Sequence, residues 1–125
     1  MSEVRDTVII LLLCLLVLLV HDQNLAQARP VYRDALTTWF GPGFYGNTFA
    51  CGGTYYRNKR GVAHRTLPCG TKLTLRKRGA RVHVRVIDRG PYSAALFDLT
   101  ARTAMDLCRC TKPYTMSVKY LRGWK

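Results

Sequence analysis

Acidic side chains are scarce in most of this sequence. Residues 29–125 contain four aspartates and no glutamate, so any acid–base chemistry of a carboxyl group must use Asp34, Asp88, Asp98 or Asp106. Asp88 ends an alternating apolar segment and precedes the turn-forming residues Arg89-Gly90-Pro91. This turn places the carboxylate at the rim of a sheet, where functional sites are common. A cap of the turn, or an ion pair with Arg89, is an equally good interpretation.

The other titratable candidates also have structural interpretations. Asp98 lies two residues before a predicted helix cap and can stabilise that helix end. Asp34 precedes the first predicted strand, and Asp106 lies on the helix four residues after Arg102, which favours a solvated ion pair. His64 is more often a structural hydrogen-bonding group than a catalyst. Aromatic residues near the glycines, Tyr45 and Tyr92 among them, suit either core packing or stacking on sugar rings.

The elements that must position these residues are mostly strands. Alternating β-branched and aromatic residues predict four of them, at 37–40, 72–76, 82–87 and 114–120. Val82, Val84 and Val86 should face one side of their strand, and Gly79 should form a hairpin turn before it. One short helix is predicted at 100–107 with Thr100 as its cap. The pattern is that of a small β-barrel with one short helix.

The N-terminal segment has a different character. Residues 8–20 are all apolar, a run typical of a signal-peptide core, and Ala26-Gln27-Ala28 fits signal peptidase. We therefore predict a signal peptide at 1–28 and one domain at 29–125. An uncleaved anchor is the alternative, because the first seven residues lack a positive excess. Cys14 lies inside the apolar run after Leu13, so no lipid anchor is expected.

The predicted mature chain is strongly basic. It has 19 lysines and arginines against four acids, a net charge of +15. Wall polymers and anionic membrane surfaces are the polyanions nearest to an exported protein, whereas no specific nucleic-acid binding is expected. Its four cysteines allow three disulfide connectivities, of which Cys51–Cys69 is preferred. A mutual bridge between Cys108 and Cys110 would be strained by their C-x-C spacing, so a free, labile or intermolecular thiol is the alternative there. The spacing of the four cysteines does not resemble a zinc module.

Five motifs occur together in the order found in one family. They are TWFGPGFYG at 38–46, ACGG at 50–53, GVAHRTLPCGT at 61–71, VRVIDRGPY at 84–92 and FDLT at 97–100. This set resembles the rare lipoprotein A (RlpA-like) family and, more distantly, expansins. The resemblance covers nearly all of residues 29–125. It implies an all-β fold, a six-stranded double-psi β-barrel with one short α-helix.

The resemblance also implies an activity. Its members are lytic transglycosylases, which cleave the MurNAc-β-1,4-GlcNAc bond of peptidoglycan and leave a 1,6-anhydro end. One carboxyl group can act first as acid and then as base, so no metal or organic cofactor is needed. Asp88 matches the general acid/base, while His64 and Asp98 match further catalytic residues. The expected substrate contacts are Arg65, Thr66, Arg89, Tyr45 and Tyr92.

One position departs from the family pattern. Catalytic members have a glutamate directly after the ACG stretch, and this sequence has Gly53 there. The alternative is therefore a non-catalytic, expansin-like wall-binding protein, followed by a basic secreted protein with another role. In each case we expect a monomer in the periplasm or cell wall, with peptidoglycan glycan strands as the partner in the first two.

Overall fold

The computed structural model describes residues 1–26, 29–108 and 116–124. The chain divides into two compact units, residues 1–30 and 31–125. The described residues do not include Cys110, or Tyr114 and Thr115 at the start of the strand predicted at 114–120. Of the cleavage site predicted at 26–28, they include Ala26.

The first unit is one helix, α1, at Ser2–Ala26. Its stretch Ser2–His21 is long and apolar enough to cross a membrane by length and composition. The helix is therefore longer than the apolar run at 8–20, because the polar residues that flank the run continue it. This helix is compatible with a signal peptide, which has the same length and apolar character.

The second unit is a closed, six-stranded barrel. Its strands follow the order β1-β5-β2-β4-β3-β6 around the barrel. The pairs β1–β5 and β2–β4 are parallel, and the other described pairs are antiparallel. The strand bounds are β1 Arg33–Phe40, β2 Val62–Ala63, β3 Lys72–Lys77, β4 Ala80–Asp88, β5 Phe97–Thr100 and β6 Met116–Arg122.

The alternation predicted for β4 is confirmed. Val82, Val84 and Val86 are buried, whereas His83 and Arg85 are exposed. The hairpin from β3 turns through Arg78 and Gly79, with φ angles of 46° and 85°. Two successive residues of positive φ match the twist of an antiparallel hairpin, and glycine adopts this conformation without steric cost.

Two of the six strands implied by the resemblance lie outside the four segments that the alternation pattern predicts. β2 has two residues and β5 has four, yet they complete the barrel between β1 and β4. β1 also begins earlier than predicted, so the expectation that Asp34 precedes the first strand is wrong. Asp34 lies within β1 because Arg33 and Asp34 pair with Tyr120 and Lys119 of β6.

Among the described residues of the barrel unit, one α-helix is present, α2, at Ala101–Cys108. Thr100 caps it as predicted, accepting a hydrogen bond from the Thr103 backbone at 3.4 Å. Ala104 and Leu107 pack into the core with residues from all six strands. Because the core cluster lies wholly between residues 35 and 118, the second unit contains its own hydrophobic core, as a domain that can fold alone does.

Candidate functional site

A groove of about 720 Å³ opens at one end of the barrel. Its walls come from the end of β1 with the following turn, the 47–49 segment, and the 88–93 turn after β4. A short 3-10 helix, Pro42–Phe44, forms part of one wall. The groove brings together two of the four barrel acids, Asp88 and Asp98.

The two acids stand in one cross-strand row. Thr38 pairs with Asp98, Asp98 with Ala63, and Ala63 with Asp88, across β1, β5, β2 and β4. All four residues line the groove, and we call them the carboxylate row. One strand separates the two aspartates, which corresponds to roughly 10 Å between their Cα atoms. Because Ala63 has a small side chain, the space between the carboxyl groups is open.

Asp88 is held by the backbone of a neighbouring loop. Its Oδ1 atom accepts a hydrogen bond from the Ala50 backbone N–H at 2.8 Å. The Arg89 guanidinium instead donates to the carbonyls of His64 and Leu67. Of the structural interpretations of Asp88, the ion pair with Arg89 is therefore not what the structure shows. The Oδ1 contact fixes the carboxyl group and leaves its second oxygen for a ligand.

Asp98, the second acid of the groove, is partly buried. Its Oδ1 atom accepts a hydrogen bond from the Thr38 hydroxyl at 2.9 Å. Burial raises the pKa of Asp98, the hydrogen bond from Thr38 offsets part of that rise, and the negative charge of Asp88 adds to it. Asp98 therefore keeps its proton to a higher pH than an exposed aspartate does.

This shift predicts that Asp98→Asn stabilises the barrel at neutral pH. A carboxyl group that binds its proton more tightly in the folded than in the unfolded chain costs stability as pH rises through the raised pKa. Asparagine removes that cost and still accepts the hydrogen bond from Thr38. The Tm of Asp98→Asn should exceed that of wild type at pH 7. The gain should vanish near pH 3, where Asp98 is protonated in both the folded and the unfolded chain.

Asp34→Asn is the matched control for this measurement. Asp34 is exposed and lies 3.8 Å from Lys119, so removing its charge should not raise the Tm at pH 7. An Asp98→Asn variant whose Tm follows that of wild type at every pH would contradict the coupling of Asp98 to its surroundings.

The structure places His64 beside the groove rather than on its lining. Its Nδ1 atom accepts hydrogen bonds from the backbone N–H groups of Thr66 and Leu67 at 3.1 and 2.9 Å. Burial lowers the pKa of the ring, and the charges of Arg65, Arg89 and Arg122 lower it further. In these contacts His64 holds the 64–67 turn as a neutral acceptor, and its catalytic role remains a prediction.

Arg65 and Arg89 both brace loops around the groove. Arg65 donates to the carbonyls of Pro91, Ser93 and Ala95 at 2.7 to 3.1 Å. Arg89 joins the 64–67 turn to the Cys69 sulfur, 3.4 Å away. Only Arg89 of the pair lies on the described groove lining, and the substrate contacts of both stay predictions.

The predicted substrate contacts divide into two groups. Tyr92 lines the groove and is 87% exposed, so its ring is open to a ligand. Tyr45 and Thr66 do not belong to the lining; Tyr45 packs edge-to-face on Tyr55 with ring centroids 5.0 Å apart. Tyr55 belongs to the buried core. Its hydroxyl donates to the Phe40 carbonyl and accepts from the Ala101 N–H, and burial raises its pKa to about 12.

The Cys51–Cys69 disulfide is present, as predicted, with Cα atoms 5.7 Å apart. It ties the loop that carries Ala50 to the segment braced by Arg89. Cys110 lies outside the described residues, as does any pairing of Cys108 with it. Within residues 1–26, 29–108 and 116–124, no group of three His, Cys, Asp or Glu side chains is placed to hold a metal ion.

Several groove residues had not been singled out from the sequence. Thr38, Asn47 and Thr48 give the groove polar groups, and Phe44 offers a ring that is 52% exposed. Thr38 stands next to Asp98 only because β1 and β5 pair in parallel across 60 residues of sequence. Local patterns carry no signal for such a contact. The usable signal for Thr38 itself is its place in the TWFGPGFYG motif.

Comparisons with known proteins match the barrel unit. The sequence model of the lytic transglycolase family matches residues 33–120. A probable endolytic peptidoglycan transglycosylase RlpA of Synechocystis is 41% identical over 58% of this chain and 23% of its own length. The corresponding enzyme of Campylobacter jejuni is 39% identical over 59% of this chain and 28% of its own length. The enzyme of Pseudomonas aeruginosa is 40% identical over 65% of this chain and 25% of its own length.

The chain therefore spans about a quarter of the length of these curated relatives. Among solved structures, Streptomyces papain inhibitor aligns with a TM-score of 0.56 over 74% of this chain and 96% of its own, at 19% identity, which supports the fold alone. The match across β1 to β6, together with the identities to RlpA proteins, shows that this chain belongs to the RlpA-like double-psi β-barrel family of lytic transglycolases.

Proposed function

We propose that the barrel unit is a peptidoglycan lytic transglycosylase with Asp88 as its general acid/base. The observation that carries this proposal is the carboxylate row, in which two aspartates face one groove with a small residue between them. The relatives named as endolytic peptidoglycan transglycosylases supply the substrate class. The groove volume of about 720 Å³ is in the range of sites that enclose small ligands.

The proposed reaction uses one carboxyl group twice. Protonated Asp88 gives its proton to the glycosidic oxygen as the bond from C1 of MurNAc to O4 of GlcNAc breaks. The Asp88 carboxylate then takes the proton from the C6 hydroxyl of the same MurNAc, whose oxygen bonds to C1 and closes the 1,6-anhydro ring. Asp88 is protonated again at the end of the cycle, so the reaction consumes no water and needs no second carboxylate.

Neighbouring groups orient Asp88 and offer contacts to the sugar. The Ala50 N–H holds Asp88 in one orientation, which reduces the entropy lost on reaching the reactive geometry. Asp98 is the neighbouring acid, and its raised pKa favours the neutral form, which can donate a hydrogen bond to a sugar hydroxyl. Phe44 and Tyr92 present exposed rings on which sugars can stack.

The proposed site of action is the cell envelope after cleavage of the signal peptide at Ala28, with the barrel unit acting as a monomer on glycan strands. The apolar helix α1 supports export. The barrel supports action as a monomer because its closed sheet leaves no strand edge to pair with a second copy.

The test is the set of products released from purified peptidoglycan by residues 29–125. Intact and stem-peptide-free peptidoglycan are incubated with the protein, and soluble fragments are analysed by mass spectrometry. We expect fragments with 1,6-anhydro ends, lighter by one water than hydrolytic products. Reducing ends without the anhydro form would indicate hydrolysis and contradict the proposal.

One observation favours a second candidate, an expansin-like wall-binding protein without turnover. Gly53, in place of the family glutamate, has a φ of 85°, and a Cβ atom there would meet no atom within 4 Å. The groove thus has no third carboxylate from that loop. Under this alternative, the protein should pellet with peptidoglycan in moderate salt and release no fragments.

A further inference from the structure

A basic surface covers the outer side of β3, β4 and β6. The pairs Lys72–Arg85 and Arg76–Arg81 lie side by side on β3 and β4, and Lys119 of β6 is the other neighbour of Arg76. Four of these cations, Lys72, Arg76, Arg85 and Lys119, form with Trp124 what we call the basic face. None of these five residues lines the groove of the carboxylate row.

Trp124 is held in place by the sheet beneath it. Its neighbour Gly123 donates its N–H to the Lys72 carbonyl at 2.8 Å, and its carbonyl accepts from the Thr74 hydroxyl at 2.7 Å. The Lys72 ammonium and the Arg85 guanidinium lie 4.5 and 4.7 Å from the indole centroid. Trp124 nevertheless remains 44% exposed, so a fixed aromatic ring stands beside two cations.

Few acidic side chains of the described residues lie near the basic face. Residues 29–125 have four acidic side chains. Asp106 contacts Arg60 and Arg102, Asp88 and Asp98 line the groove, and Asp34 reaches Lys119 at 3.8 Å. Among the described residues, the four cations of the basic face therefore have one exposed acidic side chain, Asp34, within reach, an arrangement complementary to a polyanion.

We propose that the basic face is a second peptidoglycan-binding surface, which takes the free carboxylates of stem peptides while Trp124 stacks on the chain that carries them. The inference rests on the proposed function for its choice of polymer. Lys72 and Arg76 are four residues apart on one strand, so the cations extend over roughly 13 Å and can contact successive carboxylates. A glycan without stem peptides offers far fewer charges to this surface.

The composition of the face argues against an anionic membrane as its ligand. Proteins that lie on membranes place a broad apolar surface in the headgroup boundary. Here the outward residues are mainly cations, and the one indole lies beside Lys72 and Arg85. Stem-peptide carboxylates can form hydrogen-bonded pairs with the arginines and need no such apolar surface, so they fit the face better.

The test is co-sedimentation of residues 29–125 with purified peptidoglycan at low temperature. Lys72→Ala/Arg85→Ala is compared with wild type and with Arg57→Ala/Lys59→Ala, which removes the same charge from an exposed loop. On intact peptidoglycan, we expect about tenfold weaker binding for Lys72→Ala/Arg85→Ala and less than about a twofold change for the control. On peptidoglycan stripped of stem peptides, all three proteins should bind alike.

Three results would overturn the inference: equal losses for the two double variants, an undiminished difference on stripped peptidoglycan, or equally strong binding of wild type to vesicles of anionic phospholipid. Asp88→Asn separates this proposal from the proposed function, because it should pellet like wild type. Binding that depends on Lys72 and Arg85 without anhydro fragments would uphold the basic face and reject the activity. Fragment release with unchanged binding of the variant would do the reverse.

Discussion

Asp88→Asn is expected to reduce release of anhydro-ended fragments by a factor of about a thousand or more. Asparagine can neither donate a proton to the leaving oxygen nor take one from the C6 hydroxyl, so both proton transfers lose their catalyst. The side-chain carbonyl of asparagine still accepts the hydrogen bond from Ala50, which keeps the loop in place. The fold and the Tm should therefore change little, and mass spectrometry of the soluble products measures the loss.

Asp106→Asn is the matched control for this experiment. Asp106 is also an aspartate of the barrel unit, but it lies on α2 and contacts Arg60 and Arg102 rather than the groove. Its substitution should leave the rate within about twofold of wild type, because exposed ion pairs contribute little. If Asp88→Asn releases fragments at the wild-type rate, Asp88 is not the acid/base, and Asp98 becomes the carboxyl group to replace next.

Gly53 shows how a missing family residue can be accommodated. Its positive φ suits glycine, and a glutamate in the same backbone conformation would be strained. The loop instead contributes a backbone donor, Ala50 N–H, to Asp88. A mechanism in which one carboxyl group acts as both acid and base needs no carboxylate from this loop. The groove already contains Asp88 for that role and Asp98 as its neighbouring acid.

The sequence predicted the parts of the fold that local patterns encode. The alternation of β4 and the hairpin at Gly79 are visible in short windows, since side-chain burial follows the period of the strand. The helix cap at Thr100 is also local. β2 and β5 could not be predicted, because two and four residues are too few for a period and their strand geometry comes from neighbours on both sides.

The candidate site was predicted as residue types but not as contacts. Asp88 and Asp98 were singled out by scarcity and by motif, and the structure brings them to one groove. The hydrogen bonds from Ala50 and Thr38 join residues 38 and 60 positions apart, so they depend on how the barrel closes. The same closure directs Arg65 and Arg89 to backbone carbonyls, which charge alone does not indicate.

Removing the Cys51–Cys69 disulfide should have the largest effect on stability. The bond closes a loop with a sequence separation of 18, and Cys51→Ala/Cys69→Ala should lower the free energy of unfolding by about 3 kcal/mol. For a domain of this size, the Tm should fall by roughly 12–24 °C. Thermal unfolding followed by circular dichroism measures the change, with Lys59→Ala, an exposed substitution inside the same loop, as the control.

The disulfide variant should also lose activity at temperatures where it stays folded. Cys51 lies next to Ala50, and its own N–H bonds to the Ile87 carbonyl, one residue before Asp88. Without the covalent tie to Cys69, these two hydrogen bonds remain between the loop and the end of β4. Asp88 should then sample more orientations, which lowers the rate while leaving binding to stem-peptide-bearing peptidoglycan intact. A variant with the wild-type Tm and rate would mean that barrel contacts already fix the loop.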